Sequence, residues 1–400
     1  MKLGSTLGLL VGVCGTLSVV SAGCSQAPAM TTSGTAQAAG APAIHTYYIA
    51  ADEVTWDFAP SNTNGVSGKP FGDEERPWVG QGPHKIGKVF KKALYREYTD
   101  ATFTQFKQRP PEWEHLGLLG PLIRAEVGDT IKIVFKNNLK FRASLHPHGV
   151  FYEKQSEGSP YNDGVDAAKK SAAPGETQTY TWPVPERAGP TEHELSSVLW
   201  MYHSHVNEVA DANAGLVGPM IITGKGMTKP DGTPKDVDRE LVVAFAEFGE
   251  TESPYIQDNI NTYTKDPKGV AIVMDPFGSP IAMTKDKGDP GDYFLRESLN
   301  GFIYGNTPGL TMNVGQHVRW YLMATSNFEV HAPHWHGNTV TINHMRTDVA
   351  ALQTMGMVTA DMVPDNAGTW LFHCHVGGHL KGGMQALYKV EPAPPARKTS

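Results

Sequence analysis

Residues 370–384 place His373, Cys374, His375, His379 and Met384 in one short run, Trp-Leu-Phe-His-Cys-His-Val-Gly-Gly-His-Leu-Lys-Gly-Gly-Met. A thiolate, an imidazole five residues on and a thioether ten residues on supply most of a soft His2Cys site with a weak axial Met, the donor set of blue copper. On an extended segment successive side chains alternate faces, so Cys374 points one way while His373 and His375 point the other. One stretch can therefore serve two metal sites. Cys374, His379 and Met384 would hold a type 1 copper, and His373 and His375 would face a second site across an interface. Because the thiolate and these imidazoles are sequence neighbours, an electron reaching the first site has a short covalent route to the second. Cys374, His373 and His375 are the catalytic candidates.

Three further clusters belong with this one: His146-Pro-His148-Gly149, His203-Ser204-His205, and His331-Ala-Pro-His334-Trp-His336-Gly337. Each contains an i, i+2 pair, which on a strand presents two imidazoles on one face. His331 lies an odd number of residues before His334, so it faces the other way, toward Cys374, and completes the blue site with His379. A lone His-x-His is more often an accident of a strand than a ligand, but four pairs with a cysteine nested in the last are not. Of the 16 histidines, ten fall in these clusters, and His45, His84, His115, His193, His317 and His344 stand outside them.

These motifs repeat. Val127-Gly128 opens a strand leading to His146-Pro-His148-Gly, and Val314-Gly315 opens one leading to His334-Trp-His336-Gly; Trp200-x-x-His203-Ser204-His205 answers Trp370-x-x-His373-Cys374-His375. Superposing the copies puts Ser204 where Cys374 sits and Ala143 where His331 sits. The N-terminal copy keeps its two His-x-His pairs and carries no blue site.

The elements needed to position these groups are strands. Stretches 130–135, 178–184, 216–222, 240–248 and 318–323 are short, rich in β-branched and aromatic residues, and bounded by Gly, Pro, Asn or Asp. With 42 Gly and 29 Pro in 400 residues there are many turns, yet fewer than in a disordered chain. The expected fold is all-β, two Greek-key β-sandwiches: domain 1 over 44–224 without type 1 copper, a linker over 225–238, and domain 2 over 239–393 with it, followed by a tail over 394–400. Residues 1–23 read as an export signal ending in a lipobox-like site at Cys24, a possible lipid anchor, and 24–43 as a disordered tether. The chain is thus expected to be exported, periplasmic or at the cell surface. Three cysteines, Cys14 in the signal, Cys24 at the cleavage site and Cys374 at the metal, leave no structural disulfide. A net charge of -7 offers no basic face for nucleic acid.

On these motifs the chain resembles the multicopper oxidases, and within them the branch of ceruloplasmin and hephaestin, which implies that the two Greek-key β-sandwiches are cupredoxin-like domains. Stretches 47–58 (YYIAADEVTWDF), 92–103, 117–129, 201–222 (MYHSHVNEVADANAGLVGPMII), 258–263 and 368–384 carry the resemblance over nearly the whole mature chain. It implies four coppers per chain: type 1 on His331, Cys374, His379 and Met384; type 2 on His146 and His334; and a type 3 pair, one ion on His148, His203 and His375, the other on His205, His336 and His373. It implies dioxygen as electron acceptor, reduced to water, and a homotrimer whose clusters lie between subunits. An electron carrier or copper store would not need eight paired imidazoles, and a nitrite reductase would carry its blue site in the first domain, against Ser204 and Ala143.

The reductant is open at this level: Fe(II) or Cu(I) on one hand, phenols and aromatic amines on the other. The residue before the second blue-site histidine, acidic in the iron-oxidising domains of ceruloplasmin, is Gly378 here. Glu247, Glu250 and Glu252 are the acids that could substitute. Met345, Met355, Met357 and Met362 raise Cu(I). Glu153, Glu208 and Asp211 lie near the histidine motifs as candidate proton relays.

Overall fold

Both halves of the chain are organised by a parallel pairing between distant strands, set in sheets that are otherwise mostly antiparallel. The computed structural model describes residues 42–286, 294–325 and 329–393; the export signal, Cys24, most of the tether and the tail lie outside them. In the first half, strand Ile44–Asp57 runs parallel to Thr130–Asn137 and antiparallel to Val89–Tyr98, and Thr177–Pro183 completes a four-stranded sheet. Facing it, Val217–Thr223 pairs with Ile123–Glu126 and with Ser197–His203, which carries His146–Pro147 on its outer edge. In the second half, Arg239–Gly249 runs parallel to Val318–Ala324 at the centre of a six-stranded sheet. The sheet facing it contains Gly368–Cys374 with Pro333–Trp335 on its edge. The two halves repeat each other strand for strand around their histidines, as the sequence repeat requires.

All five sequence-read strands are present, and the alternation explains them. In Thr130–Asn137, Ile131, Ile133 and Phe135 are buried toward the facing sheet, against Tyr180, Trp182 and Met220. In the second half Leu241, Val243, Phe245, Trp320, Leu322, Phe372 and Tyr388 fill the same space. Val217–Thr223 is buried along its whole length because its other face meets the second sandwich: Leu199, Met201, Val217 and Ile221 pack on Val242, Ala244, Tyr321 and Met323. Burying each such side chain contributes about 1.5–3 kcal/mol, so this shared layer holds the sandwiches together. Arg124 adds a bidentate pair to Glu240 across it, at 3.1 and 2.6 Å. The connecting segment folds back on itself through a Thr228–Pro234 bridge.

Two short helices bear on the site, and no helical period announced them. Glu208–Ala214 follows the His203 strand and Gly377–Gly382 follows the Cys374 strand. Each ends on a left-handed glycine, Gly215 at φ 115° and Gly383 at φ 106°, which turns the chain straight back into the sheet.

Candidate metal centre

The antiparallel register sets histidines face to face. His146 lies opposite His203, and His334 opposite His373. Each His-x-His-Gly turn is fixed by its glycine: at Gly149 (φ 77°) a Cβ would stand 2.3 Å from Trp200, and at Gly337 (φ 71°) 2.4 Å from Trp370. Both glycines thus let an indole lie flat on the turn that presents the imidazoles.

Within the second sandwich, Cys374, His331 and His379 converge, with donor atoms within 4.8 Å of one another and all three residues buried. Sγ of Cys374 is 3.4 Å from Nδ1 of His379 and 3.9 Å from Nδ1 of His331, and the two Nδ1 atoms are 3.2 Å apart. The Ala332 N–H points at the sulfur at 3.4 Å. Met384 is fully buried, and its backbone ties the ring of donors together: its carbonyl accepts from Cys374 N–H and its N–H donates to His379 O. Burial pushes His331 down to about 4. Against the same desolvation, Cys374 and Glu247 push His379 up to about 11, so a metal must displace that proton. A buried thiol and two convergent Nδ1 atoms fit a soft copper ion, and nothing in the donor set suits a hard one.

The remaining eight histidines form two half-sites. In the first, ligand atoms of His146, His148 and His203 lie within 4.8 Å of one another, with the His205 ring 5.1 Å from that of His146. In the second, His334, His336 and His373 do the same, with His375 5.0 Å from His334. Nδ1–H of His146 donates to Glu157 O (2.6 Å), that of His203 to Ser204 O, that of His334 to Asp348 O and that of His373 to Cys374 O. These bonds fix the tautomer and leave Nε2 as a lone pair facing the neighbouring rings, the usual arrangement of an oriented metal ligand. Burial lowers His148 to about 4 and His203 well below its usual value, keeping both neutral. Among the described residues, no ring contact joins a histidine of the first half-site to one of the second. Each opens instead on its own surface pocket, one rimmed by Tyr152 and Arg187, the other by Arg346, Asp348 and Asp365.

Acids surround the outer edge of the thiolate site. Nε2 of His379 meets Glu247 at 2.8 Å and Glu329 at 3.0 Å, so one imidazole faces sulfur on one side and two carboxylates on the other. Glu247 was among the acids singled out from the sequence. Glu250 is not available: it is fully buried and paired with Lys92 at 2.5 Å. Glu329 was not among them, although it stands only two residues before His331, the signal that could have pointed to it. Gly378 faces open space, with no atom within 4 Å of where a Cβ would stand. Of the relay candidates, Glu208 lies 3.2 Å from Nε2 of His205 and Asp211 accepts from Ser204 Oγ at 2.6 Å, whereas Glu153 is exposed and bonded to Gln155. Met362 is buried, Met355 and Met357 are half-buried against the layer between the sandwiches, and Met345 is exposed. Of the six other histidines, His45, His84 and His317 pair with carboxylates, and His115 is buried where it accepts from Val242 N–H.

Models of the multicopper oxidase family match residues 116–226 and 276–394. Hephaestin of Rattus norvegicus is 39% identical over 357 residues, covering 87% of this chain and 30% of hephaestin. Ceruloplasmin of Ovis aries is 38% identical over 354 residues, covering 87% of this chain and 32% of ceruloplasmin. The chain therefore spans about a third of the length of these relatives. In fold it is similar to a solved multicopper oxidase (TM-score 0.52, 18% identity, 87% of this chain and 89% of that one) and to the blue copper oxidase of Nitrosomonas europaea (TM-score 0.51, 17% identity, 88% and 86%). With its sandwiches, its thiolate site and its paired histidines, the chain belongs to the multicopper oxidases.

Proposed function

We propose that the chain oxidises Fe(II) one electron at a time at the Cys374 site and passes the electrons to dioxygen at the paired histidines. It would act as an exported homotrimer built from domains 44–224 and 239–393, with Cys24 a lipid anchor. Four coppers per chain would supply one-electron acceptance at the thiolate and four-electron reduction of dioxygen to water at the shared cluster. His331, Cys374 and His379 with Met384 would hold the first ion; His146 and His334 the second; His148, His203 and His375 the third; His205, His336 and His373 the fourth.

The observation that carries the choice of reductant is the pair of carboxylates on Nε2 of His379. A phenol oxidised through that imidazole would need its outer edge bare, but here it is buried and closed by Glu247 and Glu329. Hard carboxylate oxygens favour Fe(II) over Cu(I), which prefers thioethers, and they hold Fe(III) more tightly than Fe(II), which lowers the barrier to electron loss. His379 then bridges: Nε2 lies at the carboxylates and Nδ1 at the sulfur. From Cys374 the covalent backbone leads to His373 and His375. Glu208, half-exposed and 3.2 Å from Nε2 of His205, would deliver protons to the oxygen side.

Steady-state oxygen uptake with Fe(II), Cu(I) and a phenol, compared in the parent and in Glu247→Gln, tests this. The expected result is a preference for Fe(II) that Glu247→Gln reduces by about tenfold or more in kcat/KM, with phenol turnover unchanged or raised. Equal loss on all three reductants, or a parent that prefers the phenol, would refute the iron assignment.

A further inference from the structure

The strand that carries Glu247 is unevenly supported. On one side Arg239–Gly249 is paired with Leu295–Leu299 as far as Gly249, which lies opposite Leu295. On the other side its pairing with Val318–Ala324 stops at Phe245, where Thr325 N–H donates to Phe245 O at 3.1 Å. Residues 246–249 therefore overhang that neighbour, and the backbone groups along their free edge need partners from elsewhere. Glu247 sits in the middle of the overhang, yet its carboxylate lies 2.8 Å from Nε2 of His379. Something beyond the sheet has to hold it there.

The first sandwich supplies that support. Its helix Glu208–Ala214 presents Asn213, which is buried, and Oδ1 of Asn213 accepts from Gly249 N–H at 2.8 Å. The carbonyl of the same residue accepts from Lys92 Nζ at 2.6 Å, and Lys92 pairs in turn with Glu250, the residue after Gly249. Lys92 and Glu250 are both fully buried, so neither can leave the pair without stranding the other. The knot fixes the backbone of Asn213 and leaves its side-chain oxygen to hold Gly249. Glu247 is thus fastened on both sides, at Phe245 O before it and at Gly249 N–H after it.

We infer that Asn213 is a positioning residue for the reductant site: through Gly249 it holds the Glu247 carboxylate at the outer edge of His379. The sandwich that lacks a thiolate site then shapes the reductant face of the one that has it. This rests on the reading of Glu247 as an iron-binding carboxylate, but it can fail while that reading stands. Asn213 touches neither His379 nor the Cys374 donors. Removing its oxygen takes the acceptor from Gly249 N–H and loosens the overhang, while every group that would meet the iron or the thiolate copper keeps its chemistry.

The test compares Asn213→Ala, Asn213→Asp, Glu247→Gln and the double variant Asn213→Ala/Glu247→Gln in the copper-loaded full chain, each checked for folding by the blue absorption of the Cys374 site. Asn213→Ala should raise KM for Fe(II) by about threefold to tenfold, with phenol turnover unchanged or raised. Asn213→Asp keeps an oxygen facing Gly249 and should return KM to within about twofold of the parent. The double variant should match Glu247→Gln alone, because Asn213 acts only through that carboxylate. Losses that multiply in the double variant, or a loss shared by Fe(II) and the phenol, would overturn the inference. So would a normal KM in Asn213→Ala where Glu247→Gln is impaired, which leaves the iron reading intact; a parent that prefers the phenol would overturn both. Hydrogen exchange of the metal-free chain gives a readout apart from activity. The Gly249 amide should be protected in the parent and exchange about tenfold or more faster in Asn213→Ala. If that variant does not fold, the parent alone still decides, since an unprotected Gly249 amide would show that Asn213 does not hold it.

Discussion

The junction after each second histidine strand is built twice in this molecule, once around a thiolate and once around a hydroxyl. Cys374 N–H donates to Met384 O at 3.1 Å, and Ser204 N–H donates to Leu216 O at 3.1 Å. Met384 N–H donates to His379 O (2.9 Å), and Leu216 N–H donates to Asp211 O (3.1 Å). Ala332 N–H points at Sγ of Cys374 and Ser144 N–H at Oγ of Ser204. The four blue-site positions of the second sandwich, His331, Cys374, His379 and Met384, are thus occupied in the first by Ala143, Ser204, Asp211 and Leu216. Where copper would tie strand to helix, Ser204 Oγ donates to Asp211 Oδ2 at 2.6 Å, and Asn207 N–H joins it at 3.1 Å. Both copies cross-link the same junction, so the cross-link itself holds the flanking histidines in place; only one version has the donors that could also hold a redox-active copper.

The largest effect should come from making the second sandwich like the first. Cys374→Ser removes the soft ligand while keeping a hydroxyl of similar size. Expected are loss of the visible thiolate-to-copper band, one fewer copper per chain, and oxygen uptake reduced to background. A variant that stays blue, or turns over normally, would mean that the reductant site lies elsewhere.

The converse change is the sharper test of equivalence. Ala143→His, Ser204→Cys, Asp211→His and Leu216→Met together restore a soft donor set to the first sandwich. The expected outcome is one additional copper per chain and an increased visible band, measured by metal analysis and absorption. Neither would appear if the two junctions differ in shape as well as in side chains.

Much of this was legible in the sequence, and the failures have physical causes. Histidine spacing on strands is periodic, so the eight paired imidazoles, His331 and Cys374 could be named from alternation, whereas His379 was legible only as the imidazole five residues after the thiolate; the structure draws them into three groups. Ser204 and Ala143 were legible too, because they sit at fixed offsets inside strand motifs. Asp211 as the counterpart of His379 was not: the first loop is two residues longer, and counting from the strand fails across a helix whose length differs. Glu329 reaches His379 only through tertiary folding. Glu250 looked available because an acidic Glu-Thr-Glu turn usually faces water, but Lys92, buried behind it, takes its charge inward. The helices Glu208–Ala214 and Gly377–Gly382 are too short to show a period.

Asp211 also gives the comparison a pH dependence. Burial raises its pKa from 3.8 to about 6, against the hydrogen bond from Ser204. The folded chain then holds this proton more tightly than the unfolded one, so between those values stability falls as pH rises, by up to about 3 kcal/mol in all. Carboxylates elsewhere act in the opposite direction, and the signal is therefore the difference from Asp211→Asn, which keeps an oxygen for Ser204 and cannot ionise. Denaturant midpoints of the two metal-free chains should separate progressively from pH 4 to 6, the variant gaining relative to the parent. Parallel curves would mean that Asp211 ionises as freely folded as unfolded.

The smallest expected change adds an acid to the second junction. Gly378 precedes His379, and a Cβ there would meet no other atom within 4 Å, so Gly378→Asp should be accommodated in the fold. Its carboxylate would enter the space beside Glu247 and Glu329 and complete a three-acid face on His379. For a reductant bound by those oxygens, KM for Fe(II) should fall by a few-fold to about tenfold, roughly 1 kcal/mol, with little change in phenol turnover. Loss of a glycine at the start of a short helix favours the folded state slightly, so a weaker Fe(II) response could not be attributed to unfolding. If KM for Fe(II) were unchanged while the Glu247→Gln effect held, iron would approach from the Glu247 side alone, and the open face at Gly378 would be a route for release of Fe(III) rather than part of its cradle.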